Sequence, residues 1–254
     1  MTYQAIDFEK TDNWGIIRLN RPKVLNAMNQ QLWNEMLDAL DRVQNDPDIK
    51  VLIFTGQGRA FSTGADLKES RTRTIEEYRT YLTSLQEASR KIIRFEKPTI
   101  AAINGYALGS GYELALACDI RIAASEAQIG SPEARVTSSV TGGAFRLLQD
   151  LVGPGKAREL LFTAENITGE QAAAIGLVNL AVPLDRLMDE TIAMARKIAA
   201  NSSFSISRIK KGLLMAQGEA SLEALMDYEI EACLACVSTK ERDESLTKFE
   251  HRKD

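Results

Sequence analysis

Histidine is almost absent: the 254-residue chain holds one, His251, close to its C-terminal end. Nucleophilic serine or cysteine of the triad kind needs an imidazole held rigidly beside it, and a lone terminal histidine argues against both. Cysteine is scarce too, with Cys118, Cys233 and Cys236 the only three. So few thiols argue against a disulfide framework and for a reducing compartment. Cys233-Leu-Ala-Cys236 has CxxC spacing, but its surroundings have helical periodicity and no second ligand pair; a closed zinc site needs four N or S ligands. It reads as helix packing, and no metal is expected. Charge of one sign is also missing. The 31 basic and 35 acidic residues are intermixed at a net charge of -4, which speaks against nucleic acid and anionic membranes as partners. No apolar run reaches the roughly 18 residues of a membrane span, and the first nine residues lack the basic-then-apolar order of a signal peptide. A cytoplasmic location is expected, or a matrix-like one if a transit segment has been removed.

What is present is ordinary globular material, 44% hydrophobic, enough for one domain with or without an appendage. Apolar or β-branched segments at 14–19, 51–55, 99–103, 120–123 and 177–182 read as strands. Between them, 29–45 repeats apolar Leu32, Met36, Leu40 and Val43 at spacings of three and four, and 74–95 repeats Tyr78, Leu82, Leu85, Ala88 and Ile92. Each is one buried helix face, closed by Asp46-Pro47 and Lys97-Pro98. The first ~150 residues therefore alternate strand and helix in the α/β manner. After Gly153-Pro154 the pattern turns helical, at 156–162, 169–175, 184–200, 204–216 and 222–238. Thr168-Gly-Glu-Gln171 reads as a capping box for the second of these. An α/β core with a helical C-terminal extension is expected.

Two loops carry the chemistry. In Val51-Leu-Ile-Phe-Thr-Gly-Gln-Gly-Arg-Ala-Phe-Ser-Thr-Gly-Ala-Asp-Leu-Lys68 the chain leaves a strand through glycines and turns toward a helix. In Asn104-Gly-Tyr-Ala-Leu-Gly-Ser-Gly-Tyr-Glu113 it does so again. Free N–H groups at helix starts favour negative charge, and two such starts facing one spot would form an oxyanion hole. A dinucleotide loop is a rival reading of Gly109-Ser-Gly111, although Leu114 replaces the third glycine of that fingerprint. Simple turns are the third reading. Glu113, and Glu133 in Ser131-Pro-Glu-Ala-Arg135, both fall at helix starts, where acids serve either acid/base work or the helix dipole.

Beyond these loops, Asn20-Arg-Pro-Lys-Val-Leu-Asn-Ala27, Phe61-Ser-Thr-Gly-Ala-Asp-Leu-Lys68, Ile103-Asn-Gly-Tyr-Ala-Leu-Gly-Ser-Gly-Tyr-Glu-Leu-Ala115, Cys118-Asp119 and Pro132-Glu133 occur in order. Through them residues 5–254 resemble the crotonase superfamily, and among its members the enoyl-CoA hydratases. The resemblance implies a spiral of strand-strand-helix turns, with a core over 1–195 holding the CoA-thioester site and a helical region over 196–254 used for trimer formation. It also implies a hexamer built as a dimer of trimers. The thioester oxygen would be held by the backbone N–H groups of Ala65 and Ser110, the latter standing where the family usually has glycine. Glu113 would act as base toward water and Glu133 would deliver a proton to the α-carbon of a 2-enoyl-CoA. The acyl-CoA substrate would contact Lys23, Val24, Leu25, Ala65, Asp66, Leu67, Lys68 and Gly109, with Phe249 and Arg252 on the adenine side. Coenzyme A enters as part of the substrate, and no separate cofactor is implied. Dienoyl-CoA isomerases of the superfamily carry a further carboxylate where this chain has Thr141. Polar Thr137-Ser-Ser-Val-Thr-Gly-Gly143 departs from the more apolar stretch of short-chain hydratases, so an isomerase or dehydratase for a specialised acyl-CoA is the alternative. An RNA-binding homologue is a third, which the charge pattern disfavours.

Overall fold

A computed structural model describes residues 3–201 and 203–217 together with Ile230, Leu234 and Thr247. The expected helix at 222–238 lies almost entirely outside the described residues, as do Cys233, Cys236, Phe249, His251 and Arg252.

The larger of two sheets has six strands in the order β1 (Ile6–Thr11), β2 (Trp14–Leu19), β3 (Val51–Gly56), β5 (Thr99–Ile103), β7 (Ile120–Ala124) and β10 (Leu180–Val182). All neighbours run parallel except β1, which pairs antiparallel with β2. Because strand side chains alternate, both faces of β3 are buried in different company. Leu52 and Phe54 join the main core with Leu32, Trp33 and Met36 of α1 (Gln30–Asn45), while Val51 and Ile53 face Leu187, Ala195 and Ala199 of α7 (Leu187–Ala199). The apolar face expected over 184–200 is thus covered, at least in part, by the chain's own sheet.

A second sheet has no periodicity to mark it in the sequence, and only the strand-strand-helix turns of the resemblance implied it. It runs β4 (Ala60–Ser62), β6 (Tyr106–Leu108), β8 (Gln128–Gly130) and β9 (Ile167–Thr168), parallel except for β9. Each turn of the chain gives one long strand to the first sheet, one three-residue strand to the second, and then a helix. β3 and β4 lead to α2 (Leu67–Thr72) and α3 (Ile75–Ile93), β5 and β6 to α4 (Ser110–Ala117), and β7 and β8 to a 3-10 turn (Glu133–Val136) and α5 (Ala144–Thr163). This is the spiral of strand-strand-helix turns that the resemblance implies. The short strands bring the loops after β4, β6 and β8 side by side, and these loops carry the candidate residues.

Helix starts follow the sequence closely. Asn29 caps α1 by accepting from Leu32 N, and Thr74 and Thr168 form capping boxes for α3 and α6 (Gly169–Ala174), each cap contributing about 1 kcal/mol. Three expectations shift. The last strand is only three residues long, the helix expected over 184–200 begins as a 3-10 turn at 184–186, and Gly153-Pro154 lies within a helical stretch that already starts at Ala144. Gly153 kinks that stretch at φ 76°, ψ 161°, and Pro154 then opens its second half, where a missing N–H costs nothing. Beyond α7, α8 (Ser203–Ala216) is tied down through Lys210, whose ammonium donates to Asp119 at 2.7 Å; Asp119 also accepts from Thr99 N and Oγ1.

Candidate active site

The site begins with a buried asparagine. Asn26 adopts φ 56°, a left-handed conformation that Asn tolerates better than most residues. Its amide donates to the carbonyls of Gln57 and Ala60 and its oxygen accepts from Arg21 N. Ser62 Oγ donates to the Asn26 carbonyl and accepts from Gly64 N, and Thr63 N donates to Leu25 O. Arg21 closes the same junction by pairing with Asp66 at 2.9 Å and donating to the Ala27 carbonyl. Residues 21–28 are thereby clamped onto 57–66.

Ala65 is set by a single parallel bridge to Met28. Met28 N donates to Gly64 O, and Asp66 N donates to Met28 O. Since these bonds take the groups on either side of Ala65, its own N–H turns the other way. The start of α4 lies close by: a Cβ built on the preceding Gly64 would stand 2.9 Å from the Leu108 carbonyl oxygen and 3.2 Å from Ser110 N. Only glycine allows that approach, and Gly64 is at φ 91° besides. Ser110 N belongs to the first turn of α4, where no intrahelical acceptor exists. Among the described residues neither Ala65 N–H nor Ser110 N–H has a hydrogen-bond partner. The structure therefore brings the two predicted donors together, and Ser110 takes its place with its side chain almost fully buried.

Glu113 lies one turn into α4, with its N–H on the Gly109 carbonyl at 2.9 Å, and is 2% exposed. Burying a carboxylate is costly unless it is hydrogen-bonded. Here Oε1 accepts from Thr141 N at 2.6 Å and Oε2 from Thr141 Oγ1 at 2.7 Å. Glu133 opens the 3-10 turn after β8, accepts from Ser131 Oγ, and rests against Gly109. Gly109 thus lies against the Glu133 carboxylate and accepts from the Glu113 backbone N–H, at the end of α4 where the helix dipole favours negative charge. Tyr112 feels both: its phenol is raised chiefly by burial, then by the charge of Glu133, with Glu113 adding a smaller share. Thr141 and Ser131 were missed in the sequence, since hydroxyl residues carry no spacing that singles them out.

The other candidates divide in two. Lys23 and Val24, in a 3-10 turn (Pro22–Val24), with Leu25, Leu67 and the exposed Lys68, share one rim through the clamp just described. Phe249 and Arg252 lie outside the described residues. No cluster of His, Cys, Asp or Glu that could hold a metal occurs among the described residues. No described helix is long and apolar enough to cross a membrane. Cys118 is buried, and burial pushes its thiol up to about 12, far from a thiolate nucleophile.

Two convergent backbone donors beside two held carboxylates are the equipment of an enzyme that polarises a carbonyl and moves protons next to it. Comparison with known proteins identifies its family. The family model described as enoyl-CoA hydratase/isomerase matches residues 9–254, and the chain belongs to this family of the crotonase superfamily. It is 37% identical to the crotonyl-CoA hydratase of Syntrophomonas wolfei over 98% of this chain and 96% of that one. It is 35% identical to the short-chain-enoyl-CoA hydratase of Clostridium acetobutylicum over 98% and 95%. The crystal structure of an enoyl-CoA hydratase/isomerase from Xanthobacter autotrophicus Py2 superimposes with a TM-score of 0.90 at 32% identity, covering 100% of this chain and 94% of that one.

Proposed function

We propose that this chain is an enoyl-CoA hydratase, adding water reversibly to a 2-enoyl-CoA to give a 3-hydroxyacyl-CoA. The observation that carries the reading is the convergence of Ala65 N–H, Ser110 N–H, Glu113 and Glu133 around Gly64 and Gly109. The thioester oxygen accepts from the two N–H groups, and its developing negative charge is stabilised where no solvent reorganisation is needed, an effect worth several kcal/mol per site. Polarisation makes the β-carbon electrophilic. Water attacks there while one of its protons passes to Glu113, and Glu133 delivers a proton to the α-carbon. Return of a proton between the two carboxylates restores the site, so the pair acts as one titrating unit.

The CoA portion runs along the rim of Lys23, Val24, Leu25, Asp66, Leu67 and Lys68, with Phe249 and Arg252 on the adenine side, and no further cofactor takes part. The enzyme works as a trimer or a hexamer of two trimers in the cytoplasm. A second reading, isomerisation or dehydration of a specialised acyl-CoA, draws on the polar segment at 137–143, which places Thr141 against the base. Assay of crotonyl-CoA, longer, branched and ring-bearing 2-enoyl-CoAs and a 3-enoyl-CoA tests both. Water addition to simple 2-enoyl-CoAs is expected to be fastest; turnover of the 3-enoyl substrate without hydration of any 2-enoyl one would overturn the hydratase reading.

A further inference from the structure

Thr141 is 3% exposed and meets Glu113 with two donors at once, its N–H on one carboxylate oxygen and its hydroxyl on the other. The peptide that does this is wedged. Gly142 N donates to Gln86 Oε1 of α3 at 2.9 Å, and Gly142 sits at φ 64° with so little room that an added Cβ would lie 3.1 Å from Ser89 Oγ and 3.2 Å from Glu113 Cβ. Helix α3 therefore presses the 141–142 peptide onto the base from one side while α4 presents Glu113 from the other.

We propose that Thr141 is the positioning residue of the general base. An ionised carboxylate offers about four lone-pair sites. Thr141 occupies one on each oxygen and so fixes the plane of the carboxylate, aiming its remaining lone pairs at the reacting water. The backbone N–H would survive almost any residue at this position; the second bond needs the hydroxyl. Loss of the hydroxyl removes the constraint on one of the two oxygens, and a small misplacement of a catalytic group is enough to cost about 10²-fold in rate. The inference rests on the hydratase reading for its kinetic arm, but the hydrogen bonds themselves exist without substrate.

The test compares Thr141→Val, which keeps shape and backbone and loses the hydroxyl, with Thr141→Ser, which keeps it. For hydration of crotonyl-CoA, Thr141→Val is expected to lower kcat by about 10- to 100-fold while KM stays within about twofold, and Thr141→Ser to restore kcat to within about threefold of the parent. In parallel, the infrared carboxylate band of Glu113, assigned in the substrate-free protein by difference with Glu113→Gln, should shift in Thr141→Val and return in Thr141→Ser. A valine variant with parental kcat, or a folded serine variant no better than valine, overturns the proposal. If the parent protein hydrates no enoyl thioester, the function proposed above falls and the infrared comparison decides alone: an unmoved Glu113 band in Thr141→Val refutes the positioning role, and a shift restored by serine upholds it.

Discussion

Gly109 lies directly against the Glu133 carboxylate: a Cβ built on it would stand 2.9 Å from Oε1. The same residue precedes Ser110, accepts from Glu113 N and adopts φ 53°, ψ -126°, a conformation essentially reserved for glycine. Gly109→Ala therefore collides with the Glu133 carboxylate and strains the start of α4 together. Turnover of crotonyl-CoA is expected to fall by at least ~10²-fold, with a lowered thermal midpoint. Parental kinetics in this variant would mean that Glu133 has room to sit elsewhere.

In the proposed mechanism the two glutamates act on one water. Glu113→Gln and Glu133→Gln should each cost orders of magnitude in kcat, while the double variant costs far less than the product of the two, as residues of one catalytic unit do. A double-mutant cycle measures this coupling. Losses that simply multiply would separate the two roles.

In the proposed mechanism Ser110 contributes its backbone, not its hydroxyl, to the oxyanion site. Ser110→Gly should retain most activity because the N–H remains. Ser110→Pro removes that donor at a first-turn position where proline is otherwise tolerated, so the fold should survive while kcat drops by about 10²-fold or more. Circular dichroism beside the kinetics distinguishes this from unfolding. Loss of activity in a well-folded Ser110→Gly would assign the role to the hydroxyl instead.

Except for β1, which was not among the expected strands, the larger sheet and its covering helices were readable because their residues repeat. β3 is buried along its whole length and β5 likewise, while α1 and α3 keep one apolar stripe over four to five turns. The second sheet was not readable, since Ala60–Ser62, Tyr106–Leu108 and Gln128–Gly130 are too short to show a period and their pairing is decided by distant partners. Of the candidate site, Glu113 and Glu133 stood out as acids at helix starts, while Ala65 and Ser110 were named only through the resemblance to the crotonases. Asn26 lay in a quoted motif, yet its part became visible only when its amide was seen holding the Gln57 and Ala60 carbonyls. Thr141 offered no pattern at all; at sequence level it marked only the lack of an acid.

Cys118 provides a pH test of the core around α4. With burial pushing its thiol to about 12, almost none is thiolate at pH 7 to 9, and the residue has no path to solvent. In a Cys233→Ser/Cys236→Ser background, native protein at pH 8 should resist iodoacetamide and become labelled only on denaturation. Because the raised value favours the neutral thiol in the folded state, stability contributed by Cys118 holds below the ordinary thiol pKa and declines as pH rises above it. Rapid native labelling at neutral pH would show that the α4 environment opens far more readily than its burial implies.

Lys68 should separate the two ends of the substrate. It is exposed at the start of α2, two residues past Asp66, whose carboxylate caps that helix and pairs with Arg21. With a net charge of -4, any phosphate must be attracted locally rather than by a general field. Lys68→Ala is therefore expected to raise KM for crotonyl-CoA about 3- to 10-fold with little change in kcat, the mark of lost uniform binding. A crotonyl pantetheine thioester, which lacks the distant phosphates, should be handled almost equally by both proteins. Added salt should weaken the CoA substrate more for the parent than for the variant, since screening removes an attraction the variant no longer has. Equal losses for both thioesters would place Lys68 in the catalytic fold rather than on the phosphates.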